Sequence, residues 1–221
     1  MHGTLSIVAT PIGNLEDITL RALRTLKEVD VIYAEDTRVI SKLLAKYEIR
    51  KPLHRLDAAK EIVRITEIVE RLQGGENIAL VSDAGTPGIS DPGGRLVAGV
   101  RAAGCAIVAI PGPSSLAAAL SIAGLDSPEF TFLGFLPHKK GRQTALKAIA
   151  ASARPVVLLE SPHRILKLLE ELGSFASKKC VTIARELTKI HEEVVTGTAP
   201  EVAQSLKDRD AVRGEFVVIV H

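Results

Sequence analysis

Residues 80–95, LVSDAGTPGISDPGGR (Leu80 to Arg95), decide how this chain is read. The stretch opens on the end of an apolar run, Ile78 to Val81, short enough for a buried strand. It ends on Asp91 and Pro92, residues suited to the N-cap and first position of a helix. Between them lie glycines, prolines, acids and hydroxyls, on a connection that must reverse sharply. In open α/β sheets such loops at the carboxyl ends of strands are where ligands bind.

Working outward, the same unit recurs. Leu5 to Ala9 reads as a strand running into Thr10-Pro11-Ile12-Gly13-Asn14, with Asp17 capping a helix that turns Ala22, Leu23, Leu26 and Val29 inward. Val31 to Ala34 is a strand, Glu35-Asp36-Thr37-Arg38 its polar exit, and Ile40, Leu43, Leu44 and Tyr47 share one helical face. A weaker segment at 52–56 leads to Asp57 and a helix facing inward through Ile62, Ile65, Val69 and Leu72. After the opening stretch, a helix with Leu96, Val97 and Val100 ends at Gly104, and Ala106 to Ile110 is a strand ending in Pro111-Gly112-Pro113-Ser114-Ser115. Strands alternating with helices predict an α/β sheet with both faces covered.

The second half mixes direct strand-to-strand steps with helices, which predicts a mixed sheet. An Ala-rich helix spans 115–123, and strands are expected at 130–135, 156–159, 180–184, 192–196 and 215–220. Ser161-Pro162 reads as the start of a helix carrying Ile165, Leu168, Leu169 and Leu172. The change of domain is placed near Gly112, giving domains 1–112 and 113–221.

A length of 221 residues with 46% hydrophobic content supplies a sizeable core. Twenty-eight basic against 26 acidic residues leave a formal +2, so no global field draws the chain to polyanions, and a nucleic acid would have to be held by local patches. Cys105 and Cys180 have no metal-type spacing and read as structural thiols of a reducing compartment. No early apolar run is long enough for a signal peptide or a membrane span, so a cytoplasmic protein is expected. Absent motifs narrow the chemistry: there is no G-x-G-x-x-G, no G-x-x-x-x-G-K-[ST], no G-x-S-x-G and no H-E-x-x-H. Nicotinamide-type Rossmann enzymes, phosphate-loop nucleotidases, α/β hydrolases and zinc proteases are disfavoured. Asp83-Ala-Gly-Thr86 has a superficial likeness to an aspartyl-protease motif, but that site needs a second carboxylate to share a proton, and there is a single copy.

Several stretches carry a family resemblance: VATPIGNLEDIT at 8–19, AEDTR at 34–38, LVSDAGTPGISDPG at 80–93, IPGPSS at 110–115, FLGFLP at 132–137, ESPHR at 160–164, ARELTKIHEE at 184–193 and RGEFVVIV at 213–220. In that order the chain resembles the bacterial small-subunit (16S) ribosomal RNA cytidine ribose 2′-O-methyltransferases of the tetrapyrrole methylase superfamily. The resemblance implies two α/β domains with mixed sheets, a homodimer, and S-adenosylmethionine folded into the interdomain cleft. It places Pro11, Ile12, Asp83, Ala84 and Thr86 near the cofactor, Ser114 and Ser115 at the start of the helix behind it, Leu159 at its adenine side, and Ala184 and Glu215 at adenine-proximal positions. No metal is implied. The chain departs from the pattern in reading His54-Arg-Leu-Asp57 where members often have His-Asn-Glu, and in lacking the C-terminal extension of many relatives.

A ribose hydroxyl is a poor nucleophile, so a nearby carboxylate or lysine is a reasonable requirement. Candidates are Glu35, Asp36 and Arg38 in the first half, and Glu160, Arg185, Glu186 and Lys189 in the second, with Glu186 or Asp36 as the base. The plain alternatives are that Arg185 pairs with an acid at the domain interface, that Asp36 or Glu160 caps its following helix, and that His163 is a first-turn helix residue. His138, Lys139, Lys140 and Arg142, with Arg50, Lys51 and Arg55, could bind phosphates. Aromatics at 3% with no Trp argue against base stacking as the main grip, so recognition of ribosomal RNA in an assembled small subunit would rest on charge and shape. Competing readings are a methyltransferase of the same superfamily acting on a tetrapyrrole or another small molecule, and a cofactor-dependent RNA-binding module without turnover.

Overall fold

The computed structural model describes residues 2–56 and 61–221, with side chains omitted at 61–63. It divides into two compact units, Met1–Ser114 and Ser115–His221. The expected helix start at Asp57 and the inward face of Ile62 lie outside the described residues and side chains.

In the first unit, β1 (Thr4–Val8), β2 (Val31–Ala34), β3 (Leu53–Arg55), β4 (Ile78–Val81) and β5 (Ala106–Ile110) form one sheet in the order β3-β2-β4-β1-β5. Every pairing is parallel. The helices between them are α1 (Leu20–Glu28), α2 (Thr37–Lys46), α3 (Glu61–Gln73) and α4 (Gly94–Ala102). Leu26, Ile40, Leu43 and Leu44 from α1 and α2 share one core with Val8, Ile32 and Val81. Ile68, Leu72, Leu96 and Val100 from α3 and α4 share another with Leu5, Tyr33 and Leu80. Neighbouring strand residues thus enter different cores, and β2 and β4 are buried along their whole length, which is why they read as unbroken apolar runs rather than alternating ones. The chain steps one way through α1 and α2 and returns through α3 and α4. Right-handed crossovers then require the two pairs on opposite faces, as found.

The second unit holds α5 (Ser115–Ile122), β6 (Thr131–Phe135), α6 (Arg142–Ala151), β7 (Val156–Glu160), α7 (Ile165–Phe175), β8 (Val181–Arg185), β9 (Glu193–Gly197), α8 (Ala199–Asp208) and β10 (Phe216–Val220). Its sheet runs β6-β7-β10-β8-β9. β6 and β7, joined through α6, are parallel, and the other pairings are antiparallel. The mixed character therefore belongs to this sheet alone. Residues 186–192 are too few for a crossover helix, so β9 must return alongside β8. Leu146, Ile149, Leu168, Leu169, Leu172, Val202 and Leu206 pack the helices on one face, against Leu158, Val218 and Ile183.

Helix starts differ from expectation in three places. Thr19, not Asp17, caps α1 by accepting from the Ala22 amide, because Asp17 closes a single 3-10 turn, Leu15–Asp17, one step earlier. Helix α4 begins at Gly94 behind Gly93 at φ 125; Asp91 turns its carboxylate back toward Ser82 and so cannot cap. Ser161 and Pro162 form a turn in which the Ser161 carbonyl accepts from the Arg164 and Ile165 amides, and α7 starts only at Ile165. Asp91 shows a side chain binding a loop partner in preference to the helix end, while a short turn intervenes before α1 and before α7.

Arg142, expected among phosphate-binding groups, opens α6 with a side chain only 7% exposed. Its guanidinium donates to both Glu171 carboxylate oxygens, at 2.6–3.1 Å, and to the Pro137 carbonyl at 3.1 Å. It ties α6 to α7 and is unavailable to a polyanion. Removing one member of a buried pair strands the other, which typically costs about 3–5 kcal/mol. Arg142→Ala is therefore expected to lower unfolding stability by about that amount in urea titration; an unchanged midpoint would show the pair to be idle.

Candidate functional site

In the first unit β1 and β4 lie side by side, yet the chain leaves β1 toward α1 on one face and β4 toward α4 on the other. Diverging exits open a crevice at the carboxyl end of the sheet. Its floor is closed by a two-residue clamp: Thr10 N donates to the Gly85 carbonyl at 2.9 Å, and Gly85 N donates to the Thr10 carbonyl at 3.0 Å. Gly85 sits at φ +82, and a Cβ there would come within 3.3 Å of the Ile12 side chain and 3.6 Å of the Pro113 carbonyl. Glycine is needed both for the backbone conformation and for this close approach.

The polar groups around the clamp are engaged with each other. The Thr10 hydroxyl donates to the Ser82 carbonyl at 2.8 Å. The Ser82 hydroxyl donates to the Ala84 carbonyl or to Asp91 and accepts from the Ala84 amide. Burial pushes the Asp91 carboxyl up, against the opposing pull of the Ser82 hydroxyl. Asp83 accepts from the Asp36 amide at 2.9 Å through one oxygen, linking the β4 exit to the β2 exit, while its second oxygen takes no bond from the described residues. Thr86 donates to the Pro113 carbonyl at 3.2 Å.

Of the residues expected at a cofactor, Pro11, Ile12, Asp83, Ala84 and Thr86 thus gather at one sheet edge, with Pro11 and Ile12 buried and Ala84 exposed. Ser114 follows β5 at the same edge, and Ser115 is the first residue of α5. The β1 and β4 exits contain two acids, several carbonyls and no Lys or Arg. That donor set suits a ligand carrying positive charge and hydroxyl donors.

Asp36 is spoken for. Both its oxygens are gripped by the Arg38 guanidinium, at 2.5–3.1 Å, and the Arg38 amide donates to it at 2.9 Å. The Arg38 hydrogen bonds hold its carboxyl at about 2, so it is a weak proton acceptor.

In the second unit the strand register aligns Leu159, Val217 and Ala184 in one row across β7, β10 and β8. The neighbouring row, Leu158, Val218 and Ile183, enters the helical core, so the first row faces away from it. Leu159 and Ala184, both expected near an adenine, share that face. Arg185 donates to Glu193 at 2.8 Å and to the Arg213 carbonyl at 3.0 Å. Glu193 is also paired with Arg209. Arg185 is thereby locked inside its own sheet, as a brace between β8, β9 and the segment before β10.

Just past β8 the backbone becomes strained. Glu186 sits at φ 49 and Thr188 at φ 66, a region disfavoured for any side chain and most of all for a β-branched one. Each such residue costs on the order of 1–3 kcal/mol and persists only where surrounding contacts impose it. Those contacts are visible: Glu186 N donates to the Glu215 carbonyl at 3.2 Å, Lys189 N to the Glu186 carbonyl at 3.0 Å, and Thr188 N to the Glu192 carboxylate at 2.5 Å. The turn lifts Ile190 almost wholly into solvent, at 97% exposure.

The side chains of this turn form a cluster. Lys189 Nζ donates to Glu186 Oε1 at 2.8 Å, with Glu215 3.7 Å away, and the Glu215 amide also reaches Oε1 at 3.3 Å. Oε2 of Glu186 takes no bond from the described residues. Burial raises the Glu186 carboxyl, but the Lys189 hydrogen bond and charge outweigh it and leave it below the usual glutamate range. Burial alone would lower Lys189, yet Glu186 and Glu215 hold it above the ordinary lysine range. At neutral pH the pair is carboxylate and ammonium.

The remaining candidates scatter. Glu160 is buried at the end of β7, one oxygen engaged by the Ser161 amide and Arg164 and the other without a partner among the described residues. His163 is exposed in the turn before α7. Sequence reasoning missed the Ser82–Asp91 contact, the Thr10–Gly85 clamp and Gly214. Of these only Gly214 left a trace, as the glycine of RGE just ahead of a strand.

Comparison with known proteins adds an independent line. Residues 4–203 match the family described as tetrapyrrole (corrin/porphyrin) methylases. A protein named ribosomal RNA small subunit methyltransferase I from Xylella fastidiosa is 49% identical over 221 residues, covering 99% of this chain and 81% of its own length. One of the same name from Thermotoga maritima is 44% identical over 218 residues, covering 99% and 98%. A crystal structure of diphthine synthase superposes with a TM-score of 0.78 at 17% identity, covering 99% of this chain and 89% of that one, which bears on the fold alone.

The Asp91 contact is testable through pH. A carboxyl raised by folding contributes stability only while protonated, and that contribution is lost as pH rises through its folded value. Asp91→Asn keeps an acceptor for Ser82 without the charge, so at pH 7 it is expected to melt at or above the parent temperature, with the difference vanishing as pH falls toward about 4. A variant that melts lower throughout would mean the charge is needed.

Proposed function

Because the chain belongs to the tetrapyrrole (corrin/porphyrin) methylase family, we propose that it methylates the ribose 2′-hydroxyl of a cytidine in small-subunit ribosomal RNA, with S-adenosylmethionine as donor. The observation that carries the substrate class is the near full-length identity to proteins named for small-subunit ribosomal RNA methylation. S-adenosylmethionine supplies an electrophilic methyl group on a sulfonium. The β1 and β4 exits fit such a molecule: Asp83 offers a carboxylate oxygen to hydroxyl or ammonium donors, Pro11 and Ile12 an apolar wall, and carbonyls a lining tolerant of positive charge. Leu159 and Ala184, on the sheet face away from α6, α7 and α8, suit an adenine. In this reading Thr86, Ser114, Ser115 and Glu215 are further cofactor-proximal residues, the first three following β4 and β5 and the last preceding β10.

Glu186 serves as the proton acceptor, orienting the ribose hydroxyl through Oε2 and taking its proton as the oxygen is alkylated. It is favoured over Asp36 because Asp36 has both oxygens committed to Arg38. Lys189 keeps Glu186 ionised and fixed, and Arg185 braces the strand from which the turn springs. Holding the hydroxyl in line can lower the barrier by roughly 7–11 kcal/mol, and a positioned base adds on the order of 10²–10⁴ in rate.

A second copy of the chain covers exposed apolar surface in the second unit, giving a homodimer. Phe130, just before the edge strand β6, and Leu133 and Phe135 within it are 43–52% exposed, and Ile122 ends α5 exposed. Large apolar side chains left exposed on an edge strand favour such pairing. Among the described residues no helix is long and apolar enough to cross a membrane, and the reaction is assigned to assembled small subunits in the cytoplasm.

Incubation with methyl-labelled S-adenosylmethionine and 30S particles from cells lacking the modification is expected to place label in 2′-O-methylcytidine after nuclease digestion. Label in a base, in a porphyrinoid or nowhere would overturn the reading. Asp83→Ala is expected to weaken cofactor binding at least tenfold by calorimetry, the order of one charge-assisted hydrogen bond; unchanged affinity would remove Asp83 from the site.

A further inference from the structure

Gly214 stands two residues before β10, at φ +83. A Cβ built there would lie 2.1 Å from Glu186 Oε1, 2.3 Å from Cδ and 2.5 Å from Cγ. Oε1, Cδ and Cγ of Glu186 thus occupy the volume that a side chain at 214 would fill. The surrounding bonds leave Glu186 no easy retreat: its amide is tied to the Glu215 carbonyl, its Oε1 to Lys189 and to the Glu215 amide, and its own φ is 49. Flexible side chains normally yield to a new methyl group. This one is held on several sides, so the methyl would displace the carboxylate and break its contact with Lys189.

We propose that Gly214 is a positioning residue: the absence of a side chain there is what lets the Glu186 carboxylate rest against Lys189 with Oε2 open to an incoming hydroxyl. The inference rests on the reading of Glu186 as proton acceptor. It adds that this acceptor is set by a backbone feature on the other strand, the segment entering β10. Displacing Glu186 would remove the acceptor and keep the Lys189 ammonium where the hydroxyl must lose its proton.

Two effects of a substitution must be separated, the left-handed backbone and the collision. Asn tolerates positive φ far better than Ala, so Gly214→Asn relieves much of the backbone penalty and retains the collision. The test compares Gly214→Ala, Gly214→Asn, Glu186→Gln, Glu186→Ala and the Gly214→Ala/Glu186→Ala double variant, by methyl transfer to 30S particles and by thermal unfolding. Glu186→Gln is expected to lower kcat by about 10²-fold or more. Both Gly214 variants should lose kcat to a similar degree, with KM for S-adenosylmethionine within about threefold of the parent, since the β1 and β4 exits are untouched. In the Glu186→Ala background, where the volume is vacated, Gly214→Ala should cost no further activity and much less melting temperature than in the parent, the mark of coupled sites.

If Gly214→Ala does not fold, a folded double variant still demonstrates the collision, and a double variant that also fails assigns the defect to the backbone and overturns the inference. Retained kcat in either Gly214 variant, alongside an inactive Glu186→Gln, overturns the inference and leaves Glu186 in place. A fully active Glu186→Gln overturns the reading beneath it instead.

Discussion

Two hydrogen bonds between Thr10 and Gly85 hold the first unit's site together. They form an isolated antiparallel bridge just past the parallel β1–β4 pairing, where the two segments part to opposite faces. Without them the β4 exit, with its glycines at positive φ, would have little to fix it. With them, Ser82, Asp83 and Ala84 are set at one level, and Asp83 reaches the β2 exit through the Asp36 amide. The clamp exists because Gly85 lacks a side chain beside Ile12, so one missing methyl group governs several polar positions.

The second unit solves a similar problem by another route. Its sheet is mixed, and its Glu186–Lys189 cluster sits on a tight return between antiparallel strands rather than at a helical crossover. Such a turn can store strain, and Glu186 and Thr188 show it. The strain is balanced by the Lys189, Glu192 and Glu215 contacts, which leave one carboxylate oxygen uncommitted. Here again a glycine, Gly214, makes room for the group that matters. In both units a polar cluster is arranged by what the backbone permits before it is arranged by side-chain chemistry.

The alternation of apolar runs with Gly, Pro and polar exits was enough to place every strand within a residue or two, because short apolar runs bounded by turn residues are a local signal, strongest where burial on both faces, as in β2, β4 and β10, leaves little freedom in composition. Helix starts were less legible. Thr19, Gly93 and Arg164 stand at the helix starts where Asp17, Asp91 and Ser161 were expected, since Asp91 binds Ser82 in its loop and short turns precede the other two helices, which local spacing cannot foresee. Arg142 shows the same limit in charge: in the sequence it ends a basic run, and in the fold it is buried against Glu171.

The order of residues alone determined the α/β class, the two-part organisation, the polar strand ends and the resemblance to a methyltransferase family, because periodicity and turn chemistry are local properties. Only the tertiary structure decided that the first sheet is parallel throughout, that Arg38 consumes the acceptor capacity of Asp36, and that Gly214 gives Glu186 its place. Those depend on which groups from distant segments come within a few ångströms, and strand order, rather than sequence spacing, sets that.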